Sequence, residues 1–415
     1  MDQEESLYKS MSLLAAQARL IRSGISAQLM EGRSGREHTS IYRSRYAVQV
    51  CNLRGIEVSK LGIGASRIGV MQGSGRTEMD IEHHPLMKRL TKVAVRSLYT
   101  LGIDSGEAII STYGDRQYVL EQITPLSKLR EPKLTAIYKQ QRANVHKVLR
   151  EEEKNGIQLM MGMDPEFLLV NSSSMEVVPA SEFLERVGEV GCDAVHMEGV
   201  TSYPVAELRP GPRLEPRGLL IELMHTMGSA KKLIRDRSLI WMAGGMPIPG
   251  LPLGGHLHFS GIVLTTSLLE ALDNYLALPV MLLEDHTSLS RRPRYGYLGD
   301  FRRQPHGGFE YRTLPSFLVS PLVAKGVVYL AYLIVLHYKQ LTLRPLHQEN
   351  IHRAYYEGNR NVIRDCVEPL FRDLTSLRDY TAYAKYIDPL MVHISNGKIW
   401  DESRDIRPLW NIPVL

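Results

Sequence analysis

The sequence predicts an α+β fold, in which a mainly antiparallel sheet carries helices on one of its faces. Residues 158–320 consist of short β-prone runs separated by Gly and Pro turns, whereas the chain from residue 321 onward is mainly helical. Residues 45–130 place a helical segment between β-prone runs, which predicts a small separate α/β module. At roughly 150 residues per domain, the length is sufficient for two or three domains.

The four predicted segments follow one another along the chain. Residues 1–44 combine apolar positions at helical spacing with an exposed linker, and residues 45–130 form the small α/β module. Residues 131–157 are predicted to be a charged connecting helix, and residues 158–415 the principal domain. A glycine-rich stretch at 61–78 lacks the Gly-Lys-Ser/Thr ending of a phosphate loop, so no phosphate site is predicted there.

Composition restricts the class of protein. The net charge of +5 comes from arginines scattered along the chain, which favours anionic small ligands and gives no indication of nucleic-acid binding. Cys51, Cys192 and Cys366 are far apart in sequence, as is typical of a reducing compartment. The longest apolar run, VVYLAYLIVL, is too short to cross a bilayer and predicts a buried helix. The first residues, MDQEESLYKS, are acidic and lack the basic and apolar regions of a signal peptide, so we expect a cytoplasmic protein without a membrane partner.

Carboxylates interrupt two of the predicted strands. Asp164 and Glu166 are two residues apart in the apolar run IQLMMGMDPEFLLV, so they share one face of the strand. A carboxylate placed inside a strand is expensive to bury without a partner. In PVAELRPGPRLEP, Glu207 has Arg209 on its strand face, and Glu215 comes eight residues after it. These acids are therefore candidates for a metal or catalytic site.

The stretch GGHLHFSG places two imidazoles on one side of a predicted strand. His256, His258 and Ser260 point to one face, while Leu257 and Phe259 point to the other. One face can thus hold a site while the other packs into a core. An isolated His-x-His is equally typical of a buried strand with hydrogen-bonded histidines.

A fourth cluster combines acid and arginine. Glu310 and Arg312 share a strand face, with Arg294, Arg302 and Arg303 upstream. Several carboxylates with a supplementary imidazole suit Mg²⁺ or Mn²⁺, and guanidinium groups suit phosphate. Such a set can neutralise a triphosphate during phosphoryl transfer. Since Walker and kinase signatures are missing from the sequence, the nucleotide site must be of another kind.

The order of these motifs resembles a known family. Asp-Pro-Glu-Phe, Ala-Glu-Leu-Arg-Pro, Gly-Gly-His-x-His-Phe-x-Gly, Tyr-Gly-x-x-Gly-Asp-Phe-Arg and Gly-Phe-Glu-Tyr-Arg follow one another as in the carboxylate-amine (COOH-NH2) ligases of phages and bacilli. These amidoligases belong to the glutamine synthetase and glutamate-cysteine ligase superfamily. The resemblance covers about residues 158–320. It implies a glutamine-synthetase-like curved, mainly antiparallel sheet with helices on one face.

The resemblance also implies an activity and a role for each motif residue. It implies an ATP-dependent ligase that joins a small-molecule or peptide carboxylate to an amine through an acyl phosphate, with two or more Mg²⁺ or Mn²⁺ ions. The implied metal ligands are Glu166, Glu207, His256 and Glu310, with Asp164 and Glu215 either as further ligands or as groups that orient ligands. The implied nucleotide contacts are His258, Ser260, Arg294 and Arg312. The transferring phosphate would meet Arg312 and an upstream arginine, either Arg303 or Arg302.

A second resemblance lies in the N-terminal module. Its LYTLGIDSGEAIISTYGDRQYVLEQITPLSKL is similar to the end of an ATP-grasp domain, in which Asp104 and Glu121 fit the metal-binding pattern. Ile123 occupies the position of the expected asparagine, and no nucleotide-binding lobe of normal size precedes it. We therefore expect a reduced module with a structural or substrate-positioning role.

Two other classes of function remain open at this stage. A metal-dependent hydrolase uses similar ligands, although His-x-His usually comes first among them along the chain. An inactive nucleotide-binding or peptide-binding module can also retain ligand-competent residues. Consumption of ATP distinguishes a ligase from both. The substrates, the general base and the oligomeric state cannot be predicted from these residues.

Overall fold

The chain forms two compact units, Met1–Asn155 and Gly156–Leu415, in a computed structural model. The predicted linker GRSGREHTS and most of the glycine-rich stretch lie outside the described residues. Those described are 5–30, 43–62, 67–68, 84–114, 117–197 and 200–413.

The first unit combines helices with an antiparallel sheet. Its described strands have the order β3-β2-β1-β4-β5, and each neighbouring pair is antiparallel. One helix of sixteen residues packs against this sheet and ends where Gly102 adopts a positive φ of 66°, as the sequence predicts. The elements are α1 (Ser6–Ser10), α2 (Leu13–Arg22), β1 (Arg43–Cys51), β2 (Arg54–Leu61), β3 (Arg67–Ile68), α3 (Pro85–Thr100), β4 (Ser105–Tyr113), β5 (Gln117–Pro125) and α4 (Pro132–Asn155).

The second unit begins with strands and ends with helices. Its strands are β6 (Met160–Asn171), β7 (Val177–Val178), β8 (Val190–Met197), β9 (Val200–Leu208), β10 (Leu239–Met242), β11 (Gly255–Ser260), β12 (Phe301–Arg303) and β13 (Phe309–Tyr311). Its α-helices are α5 (Pro216–Leu233), α6 (Thr266–Leu272), α7 (Leu278–Val280), α8 (Pro321–His337), α9 (Glu349–Glu357), α10 (Arg360–Thr375) and α11 (Tyr380–Ser395). The helix α11 packs on both α8 and α10.

The sheet of the second unit is curled and antiparallel. Its strand order is β12-β13-β11-β6-β9-β8, and β7 and β10 both pair with β6. Strand β6 is the longest, and it lies between the histidine strand β11 and the glutamate strand β9. The predicted α+β class with a mainly antiparallel sheet is therefore confirmed.

The two faces of this sheet differ in chemistry. Leu257, Phe259 and Phe309 are buried on the face opposite the histidines, where the Phe259 and Phe309 rings lie 5.3 Å apart. On the same side the Tyr311 hydroxyl donates to Asp273 Oδ1 at 2.7 Å, in the helical segment that follows α6. Helical structure thus contacts the apolar face, and the face of His258 is left for polar groups.

One face of strand β6 is acidic in the middle of the strand and apolar towards its end. Asp164 and Glu166 are followed on that face by Leu168 and Val170, which are completely buried. These two apolar residues pack in a core cluster whose other buried members are Val205, Met242 and Leu253. The apolar half of the strand therefore anchors the half that carries the carboxylates.

The long apolar run lies in α8, where nearly every residue is buried. The predicted buried helix is confirmed. No helix among the described residues is both long enough and apolar enough to span a membrane.

Candidate functional site

The strand register brings the predicted carboxylates and imidazoles onto one face. Asp164 pairs with His256 across β6 and β11, and His258 pairs with Glu310 across β11 and β13. On the other side of β6, Glu166 pairs with Glu207 of β9. Directly opposite residues of an antiparallel pair project to the same side of a sheet. Six residues that are far apart in sequence therefore form one patch, which we call the carboxylate cluster. Its members are Asp164, Glu166, Glu207, His256, His258 and Glu310.

The middle of the cluster is buried and closely packed. The Oδ1 atom of Asp164 lies 3.1 Å from His256 Nδ1, and its Oδ2 atom lies 3.0 Å from His258 Nε2. The Oε1 atom of Glu310 lies 3.4 Å from His256 Nδ1. Asp164, His256 and Glu310 are 8%, 7% and 0% exposed. These groups are thus close enough to share one small ligand.

Four buried polar atoms in this cluster lack a well-directed hydrogen bond with any described residue. The contacts within this group of side chains, at 3.0 to 3.4 Å, are ion pairs between carboxylate oxygens and imidazole nitrogens. A buried polar atom without a partner costs about 1 to 3 kcal/mol and requires an explanation. The four atoms are Asp164 Oδ1, His256 Nδ1, His258 Nε2 and Glu310 Oε1.

The second oxygen of Glu310 has its hydrogen-bond partners. Its Oε2 atom accepts from Arg302 Nε at 2.7 Å and from Gln304 Nε2 at 3.0 Å, and it forms an ion pair with Arg302 Nη2 at 2.6 Å. This arrangement fixes the carboxylate and leaves Oε1 facing the histidines. Gln304 was not predicted, because it lies in a loop that carries no motif.

Backbone groups position Glu166. Its Oε2 atom accepts a hydrogen bond from the Gly254 amide at 2.5 Å, and its carbonyl accepts one from Ser316 Oγ at 2.5 Å. A Cβ atom at residue 254 would lie 2.2 Å from His256 Nε2, so only glycine fits there. The glycines before the histidines therefore bring the backbone close to the cluster.

The pKa values show that acid is in excess in the cluster. Burial, reinforced by Asp164 and Glu166, raises the pKa of Glu207 to about 8, although Arg209 opposes the shift. Burial also raises the pKa of Glu166. Burial alone would lower the pKa of His256, but Asp164 outweighs it and raises that pKa to about 9. A cation bound here would relieve the repulsion between the carboxylates.

The residues fit a divalent metal ion. Asp164, His258 and Glu310 each offer a ligand atom, and these atoms lie within 4.8 Å of one another. The fourth atom, His256 Nδ1, is in contact with both carboxylates. Carboxylate oxygens with imidazole nitrogens suit Mn²⁺ or Mg²⁺. Asp164, His258 and Glu310 each also have a buried atom without a hydrogen bond, so these three residues are the candidate ligands, with His256 beside them.

Strand register separates the predicted arginines. Arg312 follows β13, and its Nε atom lies 3.4 Å from Glu310 Oε1. Arg302 pairs with Glu310, whereas Arg303 pairs with Phe309 and so belongs to the opposite face. Of the two upstream arginines, Arg302 is therefore the one beside the carboxylates.

Two predicted site residues lie elsewhere in the second unit. Glu215 is exposed just before α5, and its charge acts on Tyr332 and Tyr383. Arg294 is exposed, with its guanidinium 5.5 Å from the centre of the Tyr295 ring. Neither makes a described contact with the carboxylate cluster. Ser260, at the end of β11, is partly buried on the face of His258.

The acids of the N-terminal module are separated and have partners. Glu121 accepts hydrogen bonds from Ser111 and, at 2.8 Å, from Arg45. Asp104 accepts one from Ser105 at 2.8 Å, just before β4 begins. The β4–β5 register places Glu121 beside Ile110, roughly 18 Å along the strand from Asp104. These two carboxylates cannot ligate the same ion in this arrangement.

Comparison with known proteins identifies the second unit. Residues 161–412 match the family model of the phage phiEco32-like COOH.NH2 ligases, type 2, which is more than half of the chain. The match contains every member of the carboxylate cluster. No curated protein matches the chain.

Similar solved structures include ligases of two kinds. A bifunctional glutathione synthetase from Pasteurella multocida is 10% identical, with a TM-score of 0.37 over 61% of this chain and 50% of that chain. The chain thus spans half the length of that enzyme. A Plasmodium falciparum glutamine synthetase is 10% identical, with a TM-score of 0.31 over 90% of this chain and 97% of that chain. Similarities this weak carry no argument about the site.

Proposed function

Because this chain belongs to the phage phiEco32-like COOH.NH2 ligase family, we propose that it is an ATP-dependent carboxylate-amine ligase. It joins a small-molecule or peptide carboxylate to an amine as an amide or isopeptide bond. The observation that carries the proposal is the set of four buried atoms without hydrogen bonds, which the second unit gathers on one sheet face. An acid cluster of this kind is suited to hold Mg²⁺ or Mn²⁺ against a triphosphate.

In this proposal Asp164, His256, His258 and Glu310 hold the ion. When bound, the ion supplies positive charge that neutralises phosphate oxygens. Arg302 and Gln304 fix one oxygen of Glu310, so that its other oxygen points towards the ion. The assignment includes His256, as the family resemblance implies, and it adds His258 because the Nε2 atom of His258 also lacks a hydrogen bond.

Two arginines are available for the transferred phosphate. Arg312 is fixed beside Glu310, while the Arg302 side chain is 57% exposed and can reach towards a nucleotide from the edge of the cluster. Guanidinium groups bind phosphate oxygens in a bidentate manner and stay charged throughout the reaction. Ser260 and His258 lie next to these groups on the same face, and Ser260 is available as a hydrogen-bond partner of the nucleotide.

The chemistry requires activation of the carboxylate. A carboxylate resists an amine because its oxygen is a poor leaving group. An oxygen of the substrate carboxylate attacks the γ-phosphorus of ATP, ADP leaves, and an acyl phosphate forms. The amine nitrogen then attacks the acyl carbon, phosphate leaves with that oxygen, and the nitrogen loses a proton. Fixed positive groups stabilise the charge that develops in both steps.

The test is a screen for substrate-dependent release of ADP. Purified protein is incubated with Mg-ATP and paired amino acids or peptides, and ADP and the condensed product are measured together. We expect ADP and amide in equal amounts for a productive pair. Glu310→Gln is the inactive control, because it keeps the shape of the side chain and removes its charge.

Two outcomes would contradict a ligase. Metal-dependent cleavage of amides without ATP would identify a hydrolase. Tight binding of ATP without turnover for any pair in the screen, together with binding of peptide, would identify an inactive binding module.

A further inference from the structure

Arg209 is fixed at the edge of the carboxylate cluster. It follows β9, and its Nη2 atom donates to Glu207 Oε2. Its Nη1 atom donates to the backbone carbonyls of Arg186 at 3.3 Å and of Gly188 at 3.2 Å. The guanidinium is therefore held by one carboxylate and two carbonyls, which leaves it little freedom to turn away.

A glycine makes room for this guanidinium. Gly191 lies opposite Glu207 in the β8–β9 register. A Cβ atom at residue 191 would lie 2.0 Å from Arg209 Nη1 and 2.9 Å from its Cζ atom. The backbone of Gly191 does not have a positive φ, so the feature that distinguishes this glycine is the space that it leaves for the guanidinium. The neighbouring strand is thus shaped to accept a cationic side chain.

The two halves of the carboxylate cluster differ in whether their carboxylate oxygens accept hydrogen bonds. Around Asp164 and Glu310, one oxygen of each carboxylate is buried without a hydrogen bond. At the other end, Glu166 accepts from the Gly254 amide and Glu207 accepts from Arg209. Glu215, the further acid that was expected to serve this end, is exposed before α5. One positive charge, that of Arg209, is therefore held beside Glu207, and it opposes the rise in the pKa of Glu207 without cancelling it.

We propose that Arg209 is a permanent cation that takes the place of a second divalent ion beside Glu166 and Glu207. The site then binds a single ion, through Asp164, His256, His258 and Glu310. This inference rests on the proposed metal-dependent ligase, and it departs from the expectation of two or more ions. A guanidinium neutralises charge and cannot be removed by a chelator, so the positive charge beside Glu207 does not depend on metal supply.

The test is the number of Mn²⁺ ions bound to the full chain in the absence of nucleotide. Electron paramagnetic resonance of free Mn²⁺ during titration gives this number directly. We expect one ion for the wild type and two for Arg209→Met, because removing the guanidinium leaves Glu166 and Glu207 free to bind a second. Arg209→Gln, which retains polar contacts to the carbonyls, serves if the Met variant does not fold. The matched control is Arg213→Met, since Arg213 pairs with Glu222 at 2.6 Å outside the cluster.

A variant of Glu207, the carboxylate that pairs with Arg209, provides a second test of the inference. Glu207→Gln should still bind one ion, because Glu207 contributes no atom to the proposed ligand set. Two ions bound to the wild type, one ion bound to both Arg209 variants, or loss of the ion in Glu207→Gln would each overturn the inference. Because these measurements need no substrate, a failed search for ligase activity leaves their outcome intact. Absence of any Mn²⁺ binding to the wild type would overturn this inference together with the proposed metal site.

Discussion

Both sheets of this protein bury carboxylates, but among the described strands it is the second sheet whose buried carboxylates have oxygens without a hydrogen bond. In the first unit, Glu107 accepts a hydrogen bond from Gln49 at 2.6 Å, and Glu121 accepts from Arg45 and Ser111. In the second unit, Asp164 Oδ1 and Glu310 Oε1 are buried without a hydrogen bond to any described residue. Burial of an acid is therefore a poor indicator of function. A buried acceptor without a hydrogen bond is the better indicator, because each such atom in a native protein requires an explanation, of which a bound ion is one.

The largest effect is expected for Glu310→Gln. Removing this charge should lower ATP turnover about 1000-fold, which corresponds to about 4 kcal/mol, because the ion and Arg312 both lose their counter-charge. The measurement is steady-state ADP release with saturating metal. The matched control is Glu107→Gln in the first sheet, which should retain nearly full turnover. Equal losses for the two variants would remove the distinction between filled and unfilled carboxylates.

A stability experiment tests, within the second unit, a buried carboxylate whose oxygens all accept hydrogen bonds. Glu402 is buried, and its oxygens accept from the Gly245 and Met246 amides at 2.6 and 2.8 Å. Thr287, Ser288 and Trp400 donate to it as well. Glu402→Ala should lower the free energy of unfolding by about 3 kcal/mol, because it leaves several buried donors without an acceptor.

The measurement is urea denaturation followed by circular dichroism. Glu402→Gln should lose less than the alanine variant, since it keeps one acceptor oxygen. If Glu402→Ala unfolded at the same urea concentration as wild type, hydrogen-bond filling would not distinguish structural acids from functional ones.

Substitution of each histidine tests which imidazole nitrogens of the carboxylate cluster bind the ion. His256→Ala and His258→Ala should each weaken Mn²⁺ binding on the order of 10-fold to 100-fold, since each removes a nitrogen that faces the carboxylates. Calorimetric titration with Mn²⁺, repeated with ATP, separates the ion from the nucleotide. A His258 variant with unchanged Mn²⁺ affinity and weaker ATP binding would assign that residue to the nucleotide alone, as the family resemblance implies.

The smallest effect is expected in the N-terminal module. Glu121→Ala should change ATP turnover by less than about twofold and lower the free energy of unfolding by about 1 to 3 kcal/mol, because the buried Ser111 hydroxyl loses its acceptor. ADP release and thermal unfolding measure the two quantities. Loss of turnover in a folded variant would show that this module takes part in catalysis.

The strand pattern was sufficient to predict the centre of the site. The alternation of His256 and His258 with Leu257 and Phe259 assigns one polar and one apolar face, and both faces are observed. The i and i+2 spacing of Asp164 and Glu166 likewise predicts their shared face. These features are local, since they follow from the two-residue period of a strand.

What depends on pairing between distant strands could not be predicted. The choice between Arg302 and Arg303 follows from the β12–β13 register, which sequence spacing does not determine. Gln304 joins the site only because its loop folds back over Glu310. Glu215 was expected near Glu207, but the chain turns into α5 at that point and leaves the side chain in solvent.

Tyr311 links the strand that carries Glu310 and Arg312 to the helical segment behind the sheet. It lies between Glu310 and Arg312 and points the opposite way, where its hydroxyl is bonded to Asp273. Any repacking of the helices that displaces this ring must also tilt the acid and the arginine on either side of it. Laboratory evolution of new substrate preferences should therefore yield substitutions around Asp273, where altered packing can adjust the polar face of the sheet without replacing any residue of the carboxylate cluster.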